Sequence, residues 1–178
     1  LEQNFKDKII IINNDVLKVD ETKLTKEKVT VFGNLPYNIS TEILSKWIIN
    51  LDKNVWFENL ILMFQKEVAN RIIAKPNTSN YGRLSIISNW KLDINKLFDI
   101  KPDSFSPKPK VESSLLFFSL KKNFVKIKNP YNLEKITRIF FNQRRKMIKK
   151  NFIKLFRNYD YVSKTINIKL TDRPQNIS

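Results

Sequence analysis

The chain has 178 residues and a net charge of +16, and 42% of its residues are hydrophobic. This length and hydrophobic content suffice for one medium domain with its own core, or for such a domain with a small appendage. The chain contains no cysteine and no histidine, which excludes disulfides, thiolate nucleophiles, imidazole bases and the common zinc sites, so no metal site is predicted. No apolar run approaches the roughly 18 residues that span a bilayer, and the first residues lack the pattern of a signal peptide. A cytoplasmic protein is therefore expected.

The positive charge is concentrated in the last third of the chain. Residues 121–178 hold 16 Lys and Arg but three acidic residues, so they account for +13 of the net charge of +16. A polyanion is the natural partner of such a segment, because neutralising phosphates releases their counterions. The alternative is a proteome-wide bias toward Lys, Asn and Ile, although such a bias would make residues 1–120 strongly basic as well.

Three short apolar runs in the first part of the chain are typical of buried strands. They are KIIII at 8–12, VTVF at 29–32 and NLILMF at 59–64. EILSKWIINL lies between the second and third runs and repeats apolar residues at helical spacing, and a helical EVANRIIA follows the third run. This alternation of strands and helices predicts a parallel α/β sheet.

The later segments predict an edge to this sheet and then a helical unit. A turn at PNTSNYG precedes a helical RLSIISNW, after which LDINKLFDI and SLLFFSL flank a proline-rich loop and predict an antiparallel pair at the sheet edge. From about Lys121, apolar pairs alternate with basic clusters at helical intervals. This pattern predicts a small helical domain with a cationic face, and we place the domain boundary near Lys122.

The chain has two glycines, Gly33 and Gly82, and neither belongs to a GxGxxG-like loop. A nucleotide-type cofactor site in a doubly wound fold normally begins with such a loop, between the first strand and the first helix. The sequence also begins at Leu1 rather than at a methionine. We therefore expect that the leading part of the α/β domain is missing from this chain.

Polar residues follow two of the predicted strands. Asp15 follows the run at 8–12, and NLPYNIS at 34–40 follows the run at 29–32. Ligands of open parallel sheets bind outside the carboxyl ends of the strands, so these two segments are expected to be neighbours.

The NLPY residues suit the methylation of an adenine's exocyclic amine. The lone pair of that nitrogen is spread into the ring, and acceptors that hold its protons would free it. The side-chain oxygen of Asn34 and the carbonyl of Leu35, held rigid by Pro36, could act as these acceptors. Tyr37 offers a face on which an extruded base could stack. The alternative interpretation is a simple turn, and Asp15 could instead cap a strand or a helix.

NLPYNIS resembles the catalytic motif of the rRNA adenine dimethyltransferases, and further segments resemble the bacterial small-subunit (KsgA-type) branch. The segments occur in that family's order and are FQKEVANRIIA, NYGRLS, FSPKPKVESS, FNQRRK and the closing NIS. The resemblance covers nearly the whole chain. It implies an α/β fold in which residues 1–122 are the C-terminal portion of a truncated, Rossmann-like methyltransferase domain and residues 123–178 are a basic helical RNA-binding domain.

The resemblance also implies a function. The full-length protein would use S-adenosyl-L-methionine to dimethylate the exocyclic amines of two adjacent adenosines in a hairpin loop of 16S rRNA, as part of small-subunit biogenesis. The expected partner is small-subunit rRNA or a pre-30S particle, and the expected state is a monomer. This piece of the protein is expected to be inactive alone.

Individual roles follow where positions match the family's motifs. Asp15 would accept from the adenine amine of the cofactor, Val16 would contact the same ring through its backbone, and Asn34 would adjoin the cofactor. Asn34, Leu35, Pro36 and Tyr37 would form the catalytic motif. Phe105 would be the second aromatic residue on the target adenine, although core packing is an equally good interpretation. Candidate RNA contacts, all basic, are Arg83, Lys108, Lys110, Arg144, Arg145 and Lys146.

Three competing functions stay open at this point. The resistance-type enzymes that methylate large-subunit rRNA share an NxPYNIS motif, but FQKEVANR, YGRLS and FNQRRK favour the small-subunit branch. Enzymes that methylate DNA adenine usually carry a doubled proline after the Asn or Asp, which this chain lacks. A basic RNA-binding or assembly factor without catalytic activity is the alternative from a different class.

Overall fold

The computed structural model describes residues 8–51 and 55–177. These residues form four strands and six α-helices, together with short 3-10 helices at Glu21–Lys23, Pro102–Ser104 and Pro174–Asn176. In chain order, the strands and helices are β1 (Val29–Asn34), α1 (Ser40–Asn50), β2 (Phe57–Gln65), α2 (Lys66–Ile72), α3 (Arg83–Lys91), β3 (Leu92–Ile100), β4 (Ser113–Leu120), α4 (Pro130–Phe141), α5 (Lys149–Leu155) and α6 (Tyr159–Thr165).

The four strands form one mixed sheet in the order β1-β2-β4-β3. Strands β1 and β2 are parallel, and β4 runs antiparallel to both β2 and β3. One end of the sheet therefore holds the last residues of β1, β2 and β3 and the first residues of β4. At this end, Ser113 pairs with Gln65 on β2 and with Ile100 on β3. We call this end, with the turn at 34–39 and the loop at 101–112, the rim.

The hydrophobic core lies where helix α1 covers the central strand β2. Ile43, Leu44 and Ile48 recur at helical spacing on α1 and are fully buried, as the sequence pattern predicted. Leu60 and Phe64 on one face of β2 are also fully buried, and Met63 on the other face is 7% exposed, which is typical of a central strand covered on both faces. The predicted strands at 29–32 and 59–64, and the antiparallel pair β3–β4 at the sheet edge, are confirmed.

The prediction of a buried strand at 8–12 was wrong. This segment belongs to no strand, and Ile10 is 91% exposed. An apolar run forms a strand only where a neighbouring strand accepts its backbone hydrogen bonds, and no strand of the described residues pairs with this one. Within the described residues, β1 and β2 are therefore the one parallel pair of the sheet.

The C-terminal helices pack around their own aromatic cluster and against α3. Phe152 is 2% exposed and contacts the rings of Phe140 and Phe156 at centroid distances of 6.3 and 4.7 Å. Tyr81, just before α3, contacts the ring of Phe141 on α4 at 6.0 Å. The domain boundary near Lys122 stays a prediction.

The basic cluster at 142–146 lies in a turn between α4 and α5, not on the helix face that its sequence pattern predicted. Tertiary hydrogen bonds explain the break. The backbone N–H of Ile148 donates to the carbonyl of Asp172 at 2.9 Å, and that of Lys149 donates to Leu170 at 3.1 Å. These bonds hold the start of α5 against the 170–172 segment, so the helix does not continue through the cluster. None of the described helices is long and apolar enough to cross a membrane.

Candidate active site at the rim of the sheet

Gly33 lets strand β1 approach β2 closely just before the candidate site. A Cβ at Gly33 would lie 2.6 Å from Cδ2 of Leu62 and 3.2 Å from Cδ2 of Leu35, so a larger residue would collide with the core. Asn34 follows as the last residue of β1 and is exposed. Among the described residues, none forms a hydrogen bond with the side-chain amide of Asn34, so its oxygen is available to a ligand.

The residues after Asn34 form a tight turn that leads into helix α1. Leu35 packs against the hydrophobic core, and Pro36 restricts the backbone between Leu35 and Tyr37. The carbonyl of Pro36 accepts from the N–H of Ile39 at 3.1 Å, and the hydroxyl of Ser40 donates to the carbonyl of Tyr37 at 3.2 Å. The turn is thus anchored by an apolar side chain below it and by hydrogen bonds at the start of α1.

Tyr37 is joined to the opposite part of the rim. Its hydroxyl lies 2.6 Å from Oγ of Ser113, the first residue of β4, and either oxygen can donate. Because β4 pairs with β2 on the side away from β1, the Tyr37 side chain reaches across the end of β2. This contact joins residues 76 positions apart and brings together two predicted motifs, NLPYNIS and FSPKPKVESS.

The loop at 101–112 carries the second predicted aromatic residue to the same rim. It begins where β3 ends and closes where β4 begins. Phe105 follows the 3-10 helix in this loop and is partly buried, and the Ser106–Pro107 peptide bond is cis. Lys108 forms an ion pair with Asp103, and Lys110 is exposed. A stacking role for Phe105 stays a prediction.

A cluster of charged side chains ties this loop to the sheet. Lys66, the first residue of α2, forms ion pairs with Glu112 and with Asp99, the latter at 3.2 Å. Asp99 also accepts from the hydroxyl of Ser114 at 2.6 Å and from Lys96 at 2.9 Å. These donors, Ser114 first and then Lys96, hold the pKa of Asp99 well below its usual range. Hydrogen bonds to Glu112 and then Asp99 raise the pKa of Lys66.

The predicted cofactor-binding segment is held on helix α1 by Lys46. Its ammonium donates to the carbonyls of Val16 at 2.8 Å and Val19 at 2.5 Å, and forms an ion pair with Glu21 at 2.8 Å. Glu21 also accepts from the indole N–H of Trp47 at 2.7 Å. Both charges of this pair are largely buried, and a buried charge is costly when it lacks partners. The segment from Val16 to Glu21 is therefore fixed in place.

The Asp15 carboxylate retains capacity to accept a hydrogen bond. One oxygen accepts from the N–H of Leu17 at 3.0 Å, the other lies 3.7 Å from the ammonium of Lys18, and the side chain is 46% exposed. A carboxylate beside the backbone N–H of Val16 fits the donor and acceptor pattern of an adenine edge. No hydrogen bond joins Asp15 to the turn at 34–39, so their predicted proximity stays a prediction.

These residues fit the adenine end of S-adenosylmethionine but show no counterpart of a glycine-rich loop. Gly33 lies within β1, and Gly82 directly precedes α3. Where Asp15 and Val16 would hold the adenine, Asn34 at the end of β1 would face the reacting end of the cofactor. The role of each residue toward the cofactor stays a prediction.

The basic candidates occupy two different environments. Arg83 donates to Glu134 at 3.4 Å, and Arg144 donates to the carbonyl of Ser79 at 2.6 Å. A cavity of about 410 Å³ between α3 and the α4–α5 turn is lined by Arg71 as well as by these two arginines. The remaining candidates, all exposed, are Lys108, Lys110, Arg145 and Lys146.

Sequence reasoning missed the side chains that hold the site together. Ser113 lies inside the quoted FSPKPKVESS segment, but nothing in that string indicates a bond to Tyr37. Lys46 lies on the predicted helix EILSKWIINL, and its role depends on a segment that crosses this helix. The contacts of Lys66 and Asp99 likewise depend on the order of the strands.

Comparison with known proteins places the chain in a family. Residues 1–176 match the family described as "Ribosomal RNA adenine dimethylase". The chain belongs to this family. It is 61% identical over 177 residues to a protein of Pelagibacter ubique and 42% identical over 182 residues to one of Ehrlichia ruminantium, both named "Ribosomal RNA small subunit methyltransferase A". The match covers 99% of this chain in both cases, and 68% and 66% of the two relatives.

A solved structure supports the same fold. A dimethyladenosine transferase from Plasmodium falciparum superposes with a TM-score of 0.71 over 97% of this chain and 69% of that one, at 22% identity. These comparisons confirm the predicted family, its small-subunit branch, the methyltransferase fold and the class of enzyme to which the family belongs. They also confirm S-adenosylmethionine as the cofactor that the family implies. The chain spans about two thirds of the length of these relatives.

Proposed function

We propose that the protein containing this chain dimethylates the exocyclic amines of two adjacent adenosines in a hairpin loop of small-subunit rRNA. The observation that carries the proposal is the bond between Tyr37 and Ser113, which joins the NLPY turn to the strand that closes the 101–112 loop. It supports a site in which Asn34, Tyr37 and Phe105 act on one base. The family match and the names of the two relatives support the same activity.

The chemistry requires acceptors more than it requires a base. The Asn34 side-chain oxygen and the Leu35 carbonyl would accept hydrogen bonds from the adenine amino group and favour a tetrahedral nitrogen with an available lone pair. S-adenosylmethionine, when bound, supplies a methyl group on a sulfonium sulfur. The amine nitrogen, aligned by Asn34 and Leu35, would accept this methyl group as the carbon–sulfur bond breaks, and would then lose a proton. Alignment by the rim would therefore carry most of the rate enhancement.

Two aromatic rings would hold the extruded base. Tyr37 is fixed at the rim by its hydroxyl, and Phe105 lies in the 101–112 loop of the same rim. Stacking of a base on an aromatic side chain contributes about 1–3 kcal/mol and tolerates any base. Asn34 and Leu35 would then select a base that carries an exocyclic amino group, because both are acceptors.

The basic residues would hold the RNA rather than choose the base. Arg83 and Arg144 line one cavity, and Arg145 and Lys146 are exposed in the adjoining turn. Contacts of this kind bind phosphates and position the RNA without reading its sequence. Small-subunit rRNA or a pre-30S particle as the substrate, a monomeric state and a cytoplasmic location are parts of this proposal.

A non-catalytic RNA-binding protein is the second candidate. The charge of +13 in residues 121–178 supports it. Large-subunit rRNA is the less favoured substrate, since the relatives at 61% and 42% identity are both named for the small subunit.

Methyl transfer tests the proposal directly. The gene product that contains these residues, and the 178-residue chain itself, are each incubated with radiolabelled S-adenosylmethionine and small subunits that lack the modification. Digestion and chromatography then identify the modified nucleoside. Dimethyladenosine from the gene product supports the proposal, and we expect none from the 178-residue chain. RNA binding by the gene product without any methylated nucleoside would favour the non-catalytic alternative.

A further inference from the structure

The bond between Tyr37 and Ser113 joins a surface turn to a rigid part of the sheet. The two oxygens are 2.6 Å apart, and Ser113 is fully buried. Tyr37 itself lies in the turn between β1 and α1, where its backbone carbonyl accepts a hydrogen bond from the hydroxyl of Ser40. Its ring is therefore held at the backbone end by the turn and at the hydroxyl end by Ser113.

Ser113 is well suited to act as an anchor because its surroundings are fixed on both sides. It pairs in register with Gln65 on β2 and with Ile100 on β3. The preceding residue, Glu112, forms an ion pair with Lys66 and accepts from the Lys66 backbone N–H at 2.9 Å through its carbonyl. The following residue, Ser114, donates to Asp99 at 2.6 Å.

We propose that Ser113 is a positioning residue that fixes the plane of the Tyr37 ring, so that one face of the ring is presented to the target adenine. The proposal rests on the proposed function, because it depends on the stacking role of Tyr37. A phenol ring that is free at its hydroxyl samples a range of angles about its ring torsion. A bond to a buried serine restricts this range before the base arrives, so less ordering is needed during the reaction.

A merely structural hydrogen bond would behave differently. Its loss would lower the free energy of unfolding without changing the rate of methyl transfer by the folded protein. A positioning bond should lower kcat while leaving the KM for RNA nearly unchanged, because the phosphate contacts that dominate RNA affinity lie elsewhere. The two roles are thus separated by the kinetic parameter that changes.

The first experiment measures the ring itself, without substrate. The protein is labelled with 3-fluorotyrosine, and the Tyr37 resonance is assigned by its loss in Tyr37→Phe. We expect Ser113→Ala to shift this ¹⁹F resonance and to speed exchange between the two ring orientations. Ser113→Thr keeps a hydroxyl and should leave the spectrum close to that of the wild type. An unchanged Tyr37 resonance in Ser113→Ala would overturn the proposal.

The second experiment measures methyl transfer by the gene product that contains the chain. Ser113→Ala and Tyr37→Phe should each lower kcat about fivefold, which is the effect expected from one hydrogen bond. The double variant should lose no more than either single variant, because both changes remove the same bond. Ser113→Thr should recover most of the rate. Equal stability losses with wild-type kcat would overturn the proposal.

Ser88→Ala provides the matched control. Ser88 is fully buried like Ser113, but its hydroxyl has no hydrogen-bond partner among the residues that the structure describes. Its removal should leave both the ¹⁹F spectrum and kcat unchanged, and loss of kcat in this variant equal to that in Ser113→Ala would also overturn the proposal. If the wild-type gene product transfers no methyl group, the proposed function fails, whereas the ¹⁹F experiment still shows whether Ser113 fixes the ring.

Discussion

The rim of the sheet and the turn between α4 and α5 differ in how their functional side chains are held. At the rim, Tyr37 is bonded to Ser113 on another strand, and Lys66 and Asp99 tie the adjoining loop to the sheet. In the α4–α5 turn, Arg145 and Lys146 are exposed and form no ion pair with the described residues. Under the proposed function, methyl transfer at the rim would depend on fixed geometry, whereas RNA affinity in the turn would depend on charge.

The largest effect is expected from Asn34→Ala, which separates the two regions most sharply. Loss of one preorganised polar group aimed at the reacting atoms typically costs about 10²–10³ in rate, so methyl transfer by the gene product should fall by about this factor. RNA affinity, measured by filter binding, should stay within about twofold because the phosphate contacts are unchanged. Asn38→Ala is the control, since Asn38 is an exposed residue in the same turn. Equal losses of rate and affinity would contradict the assigned role.

Charge reversal in the turn should produce the opposite separation. In Arg144→Glu with Arg145→Glu, RNA affinity at moderate salt should fall by about tenfold or more. The slope of log affinity against log salt should become shallower by roughly one to two, because up to two phosphate contacts are lost. Lys18→Glu with Lys23→Glu reverses two exposed charges outside the basic region and should change the slope little. An unchanged slope in the arginine variant would place the RNA-binding surface elsewhere.

The two glycines differ in how closely they are packed: Gly33 faces the core next to the rim, and Gly82 faces Phe141 at the end of α4. Gly33→Ala places a Cβ 2.6 Å from Leu62 Cδ2 in the core, and overpacking of this kind costs typically about 1–3 kcal/mol of unfolding free energy. Gly82→Ala meets its nearest atom at 3.9 Å, which is ordinary contact, so its stability should be close to that of the wild type. Urea denaturation measures both variants. Equal stability of the two variants would show that β1 does not need its close approach to β2.

The smallest effect concerns the charged cluster at the rim. The pKa of Asp99 is lowered in the folded protein, so its ionised form stabilises the fold above the usual carboxyl pKa of about 4, and this contribution is lost as pH falls through the lowered pKa. Asp99→Asn should therefore lower Tm modestly near pH 7, and the difference from the wild type should shrink steadily below about pH 4. A difference that is constant with pH would show that the carboxylate charge plays no part.

Several parts of the molecule could be predicted from sequence because their signals are local. The apolar spacing of helix α1 and the runs that form β1 and β2 depend on neighbouring residues, and these elements are confirmed. The position of NLPYNIS at the end of a strand follows from the same local pattern. The order of the motifs along the chain also identified the family that the comparisons confirm.

The parts that could not be predicted depend on tertiary partners. Ile9–Ile12 have the composition of a strand, yet no described strand pairs with them and they are exposed. The 142–146 cluster has helical spacing, but hydrogen bonds from the start of α5 to the 170–172 segment turn the chain there. The partner of Tyr37 follows from the strand order β1-β2-β4-β3, which no local pattern encodes.

The most direct measurement of the central claim observes the adenine amino group itself. A small-subunit rRNA hairpin carrying ¹⁵N at the exocyclic nitrogens of its loop adenosines is titrated with the gene product and followed by proton–nitrogen NMR. If Asn34 and Leu35 accept from that group, the two amino protons of one loop adenosine should become separate, downfield-shifted signals with the wild type and should stay averaged with Asn34→Ala. Amino signals that do not change with the wild type, or that change equally with both proteins, would contradict the claim.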